Sequence, residues 1–205
     1  MSKITSTALI MSLVAALAAC GGGGDEGSNG VPPPSTDSNP LNKYQGTYYV
    51  CEGRQKTTVT IISSGENSAN ISYAEDIYAD DNCGGAIVGS YREPQPATAT
   101  YLAPTAVTLP PITILPFSDI ADRATLAIPS MTAQLTGTGV RGLCVDFTNG
   151  NVCYESLQVS AATATGAIYQ NDDYLLTFVL ENGTLSADAI YSKRSTFNVN
   201  ELALD

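Results

Sequence analysis

Beyond Leu41 apolar and polar residues alternate in short runs with a period near two, and no stretch sustains a helical period. The pattern predicts strands over Tyr44–Cys51, Thr57–Ser63, Ala69–Tyr78, Ala86–Arg92, Thr98–Leu109, Leu126–Thr136, Leu143–Phe147, Val152–Val159, Ala167–Tyr169, Tyr174–Leu180 and Leu185–Ser192. Each is rich in β-branched or aromatic residues and bounded by Gly, Pro, Asn or Asp. Pro94, Pro96, Pro104, Pro110, Pro111, Pro116 and Pro129 interrupt the middle of the chain and favour edges or crossings over a central ladder position. In "FSDIADR", Phe117 to Arg123, Ser118 is placed to cap a single helical turn. The expected fold class is all-β, either a single antiparallel barrel or a two-sheet sandwich.

Two hairpins can be read in more detail. Asn182-Gly183 is a two-residue turn signal between "YLLTFVLE" and "TLSADAIYSK". Taken as the loop, it sets Leu180 against Leu185, Phe178 against Ala187, Leu176 against Ala189 and Tyr174 against Tyr191, all on one face. Asn149-Gly150 is a second such signal, and that register leaves Cys144 one diagonal step from Cys153. The alternatives are a strong twist that closes the gap, or a longer turn that faces the two cysteines directly.

The first forty residues follow different rules. Lys3 gives a positive start, and Ala8 to Ala19, "ALIMSLVAALAA", is a largely apolar run too short to span a bilayer. Small residues then precede Cys20. The segment resembles a bacterial lipoprotein signal peptide with "LAAC" as its lipobox. That resemblance implies cleavage after residue 19 and attachment of acyl chains such as palmitate to Cys20, against an ordinary secretory peptide that would leave Cys20 free. Two acyl chains suffice for membrane residence where one holds only marginally. Gly21 after the cysteine implies, by the same resemblance, the outer membrane of the cell envelope, with the periplasmic or surface face left open. Residues 20–40, "CGGGGDEGSNGVPPPSTDSNP", hold only one large apolar side chain, Val31, and read as a flexible tether. Its mean reach is about 25 Å. Residues 41–205 are long enough for one domain with its own core.

The formal net charge is −11, and losing a leader that carries only Lys3 makes the mature chain one unit more negative. Such a surface repels nucleic acid and anionic lipid, which leaves the lipid anchor as the membrane partner. With Cys20 assigned to the anchor, Cys51, Cys83, Cys144 and Cys153 remain, an even number in an exported chain. Two disulfides are expected, Cys51 with Cys83 and Cys144 with Cys153, because each pair then lies within one half of the domain.

Chemistry is bounded mainly by exclusion. Without histidine there is no Ser-His-Asp or Cys-His arrangement and no zinc-type ligand set, and no cofactor is expected. Gly137, Gly139 and Gly142 spell G-x-G-x-x-G, but a strand follows them where a dinucleotide site needs a helix. The one acidic run, "AEDIYADDNCGG", holds Glu75, Asp76, Asp80 and Asp81. Asp80, Asp81 and the Asn82 amide are the candidate hard-oxygen ligands for a metal such as Ca²⁺, although their spacing fits no EF-hand loop. The same run is the candidate acid-base pair of a histidine-free hydrolase.

Near the start of the domain, "LNKYQGTYYVCEG" resembles the G-x-W opening of lipocalin-like (calycin) barrels, with Tyr48 in place of Trp after Gly46. In that superfamily the aromatic packs under a basic side chain near the last strand, a role that Lys193 or Arg194 of "YSKR" would take here. The resemblance implies a closed barrel able to hold one small ligand. The leading expectation is a non-catalytic, membrane-anchored module that binds a small apolar ligand or an envelope protein partner. The alternatives are a structural or surface-exposed lipoprotein with a filled core, and the carboxylate hydrolase.

Overall fold

The computed structural model describes residues 39–108, 120–137, 144–147, 150–153 and 155–202, without the side chains of 144–147 and 150–153. The strands are β1 (Gly46–Glu52), β2 (Gln55–Gly65), β3 (Ser68–Asp80), β4 (Gly84–Arg92), β5 (Ala97–Ala106), β6 (Ile120–Ile128) and β7 (Met131–Thr136). They continue with β8 (Cys144–Phe147), β9 (Gly150–Cys153), β10 (Ser156–Val159), β11 (Ala162–Asn171), β12 (Tyr174–Glu181) and β13 (Thr184–Ser192). Two single-turn 3₁₀ helices, Asn42–Tyr44 and Val199–Glu201, lie outside the sheet.

Eight strands close an antiparallel barrel in the order β1-β2-β3-β5-β6-β11-β12-β13, which excludes the two-sheet sandwich. The ring closes because β3 divides its pairing. Its first residues, Ser68 to Ile71, pair with β5, whereas Ala74 to Asp80 pair with β4. The other seam is short, with Tyr49 opposite Ser192. Two excursions leave the barrel at the same end. One is β4, between β3 and β5; the other runs from β7 to β10, between β6 and β11. They meet as β4 pairs with β7 and β7 with β10, building a three-stranded annex onto β3. The hairpin of β8 and β9 stands apart from this sheet.

Strand alternation sorts the core into two layers. Tyr48, Val59, Ile61, Ala69, Ala99, Ala124, Ile168 and Leu175 form one buried cluster drawn from β1, β2, β3, β5, β6, β11 and β12, and this is the lumen. Ala167, Tyr169, Leu176 and Phe178 alternate with those residues, so they face outward. There Phe197 and Leu202 of the C-terminal segment cover them. That segment crosses back to β1, where the Cys51 amide donates to the Phe197 carbonyl at 2.9 Å.

Several expectations change. The predicted strand over Leu126–Thr136 is divided between β6 and β7, because Pro129 lacks the N–H needed to continue a ladder. Of the predicted helical turn, Ile120 to Arg123 are strand, and Phe117 to Asp119 lie outside the described residues. Pro104 does sit within a strand, but beyond the part of β5 that pairs with β3, so its missing donor leaves no gap there. The described chain begins at Asn39, two residues before the predicted domain start. The buried Asn39 side-chain Nδ2, with two N–H groups to donate, lies 2.7 Å from Ser63 Oγ, 2.7 Å from the Gly65 carbonyl oxygen and 2.8 Å from the Ser68 carbonyl oxygen.

The Asn182-Gly183 turn has φ of 50° and 82°, as a type I′ hairpin requires. Leu180 pairs with Leu185 and Phe178 with Ala187, as predicted. A bulge at Asp188 then shifts the ladder. Leu176 faces Ile190 instead of Ala189, and Tyr174 faces Ser192 instead of Tyr191. In the other hairpin Gly150 belongs to β9 opposite Phe147, so it is not a loop residue, and Cys144 stands directly opposite Cys153. Whether their sulfurs are joined lies outside the described side chains.

Candidate functional site

One end of the barrel is filled. The chain before β1 crosses it, burying Leu41 and Tyr44 against the lumen cluster. The Tyr44 hydroxyl donates to Asp122 Oδ2 at 2.9 Å and lies 2.8 Å from the Ile168 carbonyl oxygen. Asp122 is itself buried and takes the Lys43 ammonium at 2.7 Å. Burial, then the Asp122 charge, pushes the Tyr44 hydroxyl well above the ordinary tyrosine range, so it stays a neutral donor.

Tyr48 lies beside this plug with none of its surface exposed. Its hydroxyl donates to the Tyr44 carbonyl at 3.0 Å and lies 3.2 Å from Gln170 Oε1, and burial raises its pKa. The Lys193 ammonium sits 5.8 Å from the Tyr48 ring centroid. Arg194, the other sequence candidate, turns away. Its guanidinium lies 5.8 Å from the Tyr174 ring and 5.6 Å from that of Phe197, and it bonds to the Tyr174 hydroxyl and Glu201. Gly46 has a φ of 145° and a Cβ position 3.6 Å from the Tyr48 ring, a left-handed backbone that favours glycine beside that ring.

The opposite end, where the excursions leave, is built differently. The lumen-facing Ile71, Tyr73, Leu126 and Tyr191 are only partly buried there. Tyr73 and Glu75 are two apart on β3 and therefore share the inner face, and the Tyr73 hydroxyl donates to Glu75 Oε1. Glu75 pairs across the ladder with Tyr91 of β4, whose hydroxyl donates to Glu93 Oε1 at 2.8 Å. The Tyr73 and Tyr91 rings meet edge to face with centroids 6.0 Å apart. The β13 bulge adds a third carboxylate. Asp188, the unpaired residue, accepts from the lumen-facing Thr177 hydroxyl at 3.2 Å, so its side chain turns inward.

The electrostatics of this mouth follow from its partial burial. Burial, and after it the charges of Asp188 and Glu75, raise the Tyr191 hydroxyl well above the ordinary range. Burial raises the Glu93 carboxyl, the Tyr91 hydrogen bond pulls it back, and Glu75 pushes it up again. Among the described residues, no lysine or arginine lies within ion-pair distance of Glu75, Glu93 or Asp188. The arrangement is a cup walled by tyrosine faces and rimmed by carboxylates.

No protein-family model, curated protein or solved structure matches this chain.

The other sequence candidates lie elsewhere. Cys51 and Cys83 form a disulfide joining the end of β1 to the turn after β3. Asp80, Asp81 and Asn82 are exposed in that same turn, where Asn82 accepts from the Asn198 side chain at 2.9 Å. Among the described residues no group of three or more His, Cys, Asp or Glu side chains is arranged to hold a metal ion. Strand alternation divides the acidic run: Glu75 faces the lumen, whereas Asp76 pairs outside with Arg92. Cys20 lies outside the described residues. Sequence reasoning missed the pairing of Tyr73 with Glu75 and of Tyr91 with Glu93. The signal was present as two Tyr-x-Glu steps, "YAE" and "YRE", at the strand period.

Proposed function

We propose that this chain is a lipid-anchored, non-catalytic binding module of a bacterial envelope, whose barrel takes one small ligand into the mouth half of its lumen. The observation that supports this most is the asymmetry of the lumen. Leu41, Tyr44 and Tyr48 at its plugged end are buried, with only Tyr101 partly exposed beside them, while Ile71, Tyr73, Leu126 and Tyr191 toward the other end all keep exposed surface. A ring of eight strands has an interior that side chains fill or that holds one small ligand, and lumen side chains that keep exposed surface at one end favour the second. The test is titration with a neutral apolar dye such as Nile red. Saturable binding at one site per chain is expected, and it should be weakened by Leu126→Asp in a variant whose far-ultraviolet circular dichroism is unchanged. No saturable binding to the folded chain would overturn the reading.

The anchor rests on the lipobox-like "LAAC" ahead of Cys20 and the tether that follows it. Cys20→Ala is expected to move the protein from the membrane fraction to the soluble fraction, because acyl chains are the feature that would hold an acidic domain at a bilayer. Retention on membranes after a high-salt wash would exclude the lipoprotein reading.

A further inference from the structure

The chemistry at the mouth narrows the ligand. We infer that the cup accepts an organic cation, an ammonium group carried on an apolar body, with the charge between Glu75 and Glu93 and the body against Tyr73, Tyr91 and Tyr191. This rests on the lumen-binding reading above and adds a ligand class to it.

Three observations carry the inference. The tyrosines present ring faces and edges as well as hydroxyls. Tyr73 and Tyr91 meet edge to face, which holds both rings in place without a ligand. Aromatic rings gathered around a site attract ammonium groups through their quadrupoles, and ammonium-binding cages are built this way. The carboxylates provide the counter-charge. Glu75 and Glu93 each accept a hydrogen bond from a tyrosine two residues before it, which fixes their orientation but leaves acceptor positions open. A neutral donor does not balance a carboxylate charge, and among the described residues no lysine or arginine pairs with either one; the nearby Arg92 guanidinium donates to the Glu75 and Tyr91 carbonyls and pairs with Asp76.

The contrast within the same barrel is informative. At the plugged end the buried carboxylate, Asp122, has its own lysine, and the buried ring, Tyr48, has another. The fold therefore supplies cations to carboxylates and rings where it is closed. At the mouth rings and carboxylates stand together, and among the described residues no lysine or arginine pairs with Glu75, Glu93 or Asp188. An anionic ligand would meet the half-buried Glu75 and Glu93 carboxylates, with Asp188 exposed nearby, and a neutral one would leave them unbalanced. The net charge of −11 acts in the same direction by drawing cations toward the surface.

The test compares two probes that share an apolar body, 4-phenylbutylamine and 4-phenylbutan-1-ol, by ligand-observed nuclear magnetic resonance on the full chain at low ionic strength, with Nile red as a third probe. The amine is expected to bind about tenfold more tightly than the alcohol, as one such contact would give. In Glu75→Gln/Glu93→Gln, which keeps the shape and the tyrosine hydrogen bonds, that preference should fall to about twofold or less while the alcohol and Nile red bind as before. Equal binding of amine and alcohol, or a preference that survives the double substitution, would overturn the cationic ligand and leave the lumen reading standing. If none of the three probes binds, the lumen reading itself falls and this inference with it.

Discussion

Tyr48→Ala is expected to cost about 3–5 kcal/mol, the range for removing a fully buried aromatic side chain. For a domain of this size that is a fall in Tm on the order of 10 °C, measurable by circular dichroism. The loss has three parts: the ring's own burial, the hydrogen bonds at Tyr44 and Gln170, and the cover provided by Lys193. Only the last depends on a charged partner, and a double-mutant cycle isolates it. Tyr48 and Lys193 should couple by about 0.5–2 kcal/mol, whereas Tyr48 and Arg194 should be additive, because Arg194 is engaged with Tyr174, Phe197 and Glu201. Additivity with Lys193 would remove the cation from the account of barrel closure. Coupling to Arg194 would show that the basic pair exchanges roles in solution.

The second large effect concerns the Cys51–Cys83 bridge. Its sequence separation is 32, for which the chain-entropy model gives roughly 3.5 kcal/mol. Cys51→Ser/Cys83→Ser is therefore expected to lower Tm by about as much as Tyr48→Ala does. Where the bridge sits makes it more than a loop constraint. Cys51 donates its amide to Phe197 and forms a parallel bridge with Asn198, and Asn198 also bonds Asn82 beside Cys83. Loss of the disulfide should raise amide exchange first at Cys51 and Phe197. Uniform loss of protection across β11 and β12, with no earlier loss at those two amides, would contradict a local role.

How much of this was legible follows from which interactions are local. Strands such as β2 and β12 could be read because alternation and β-branched content are properties of a few consecutive residues. The Asn182-Gly183 turn was legible for the same reason. Closure was not, since it depends on β3 exchanging β5 for β4 between Ile71 and Ala74, a choice no local pattern states. The Asp188 bulge escaped because "SADAIY" reads equally well in an unbroken register. At the site, Tyr48 and Lys193 were suggested by resemblance at the two ends of the domain. Glu75 was read as part of a contiguous acidic run with Asp76, Asp80 and Asp81, and the pleat separates what the sequence groups. Glu93, flanked by Arg92 and Pro94, gave no acidic signal at all.

The seam at Tyr49 and Ser192 also sets an order of events. The strands that meet there lie near opposite ends of the folded region, so the barrel cannot close until nearly all of that region is available. Until β13 arrives, β1 keeps one edge unpaired, an open ladder exposed to other chains. The segment that completes the seam also brings Phe197 to cover the outer wall. Loss of the last dozen or so residues of the described chain would therefore expose that wall and leave β1 without its Phe197 contact, a product open to proteolysis and aggregation.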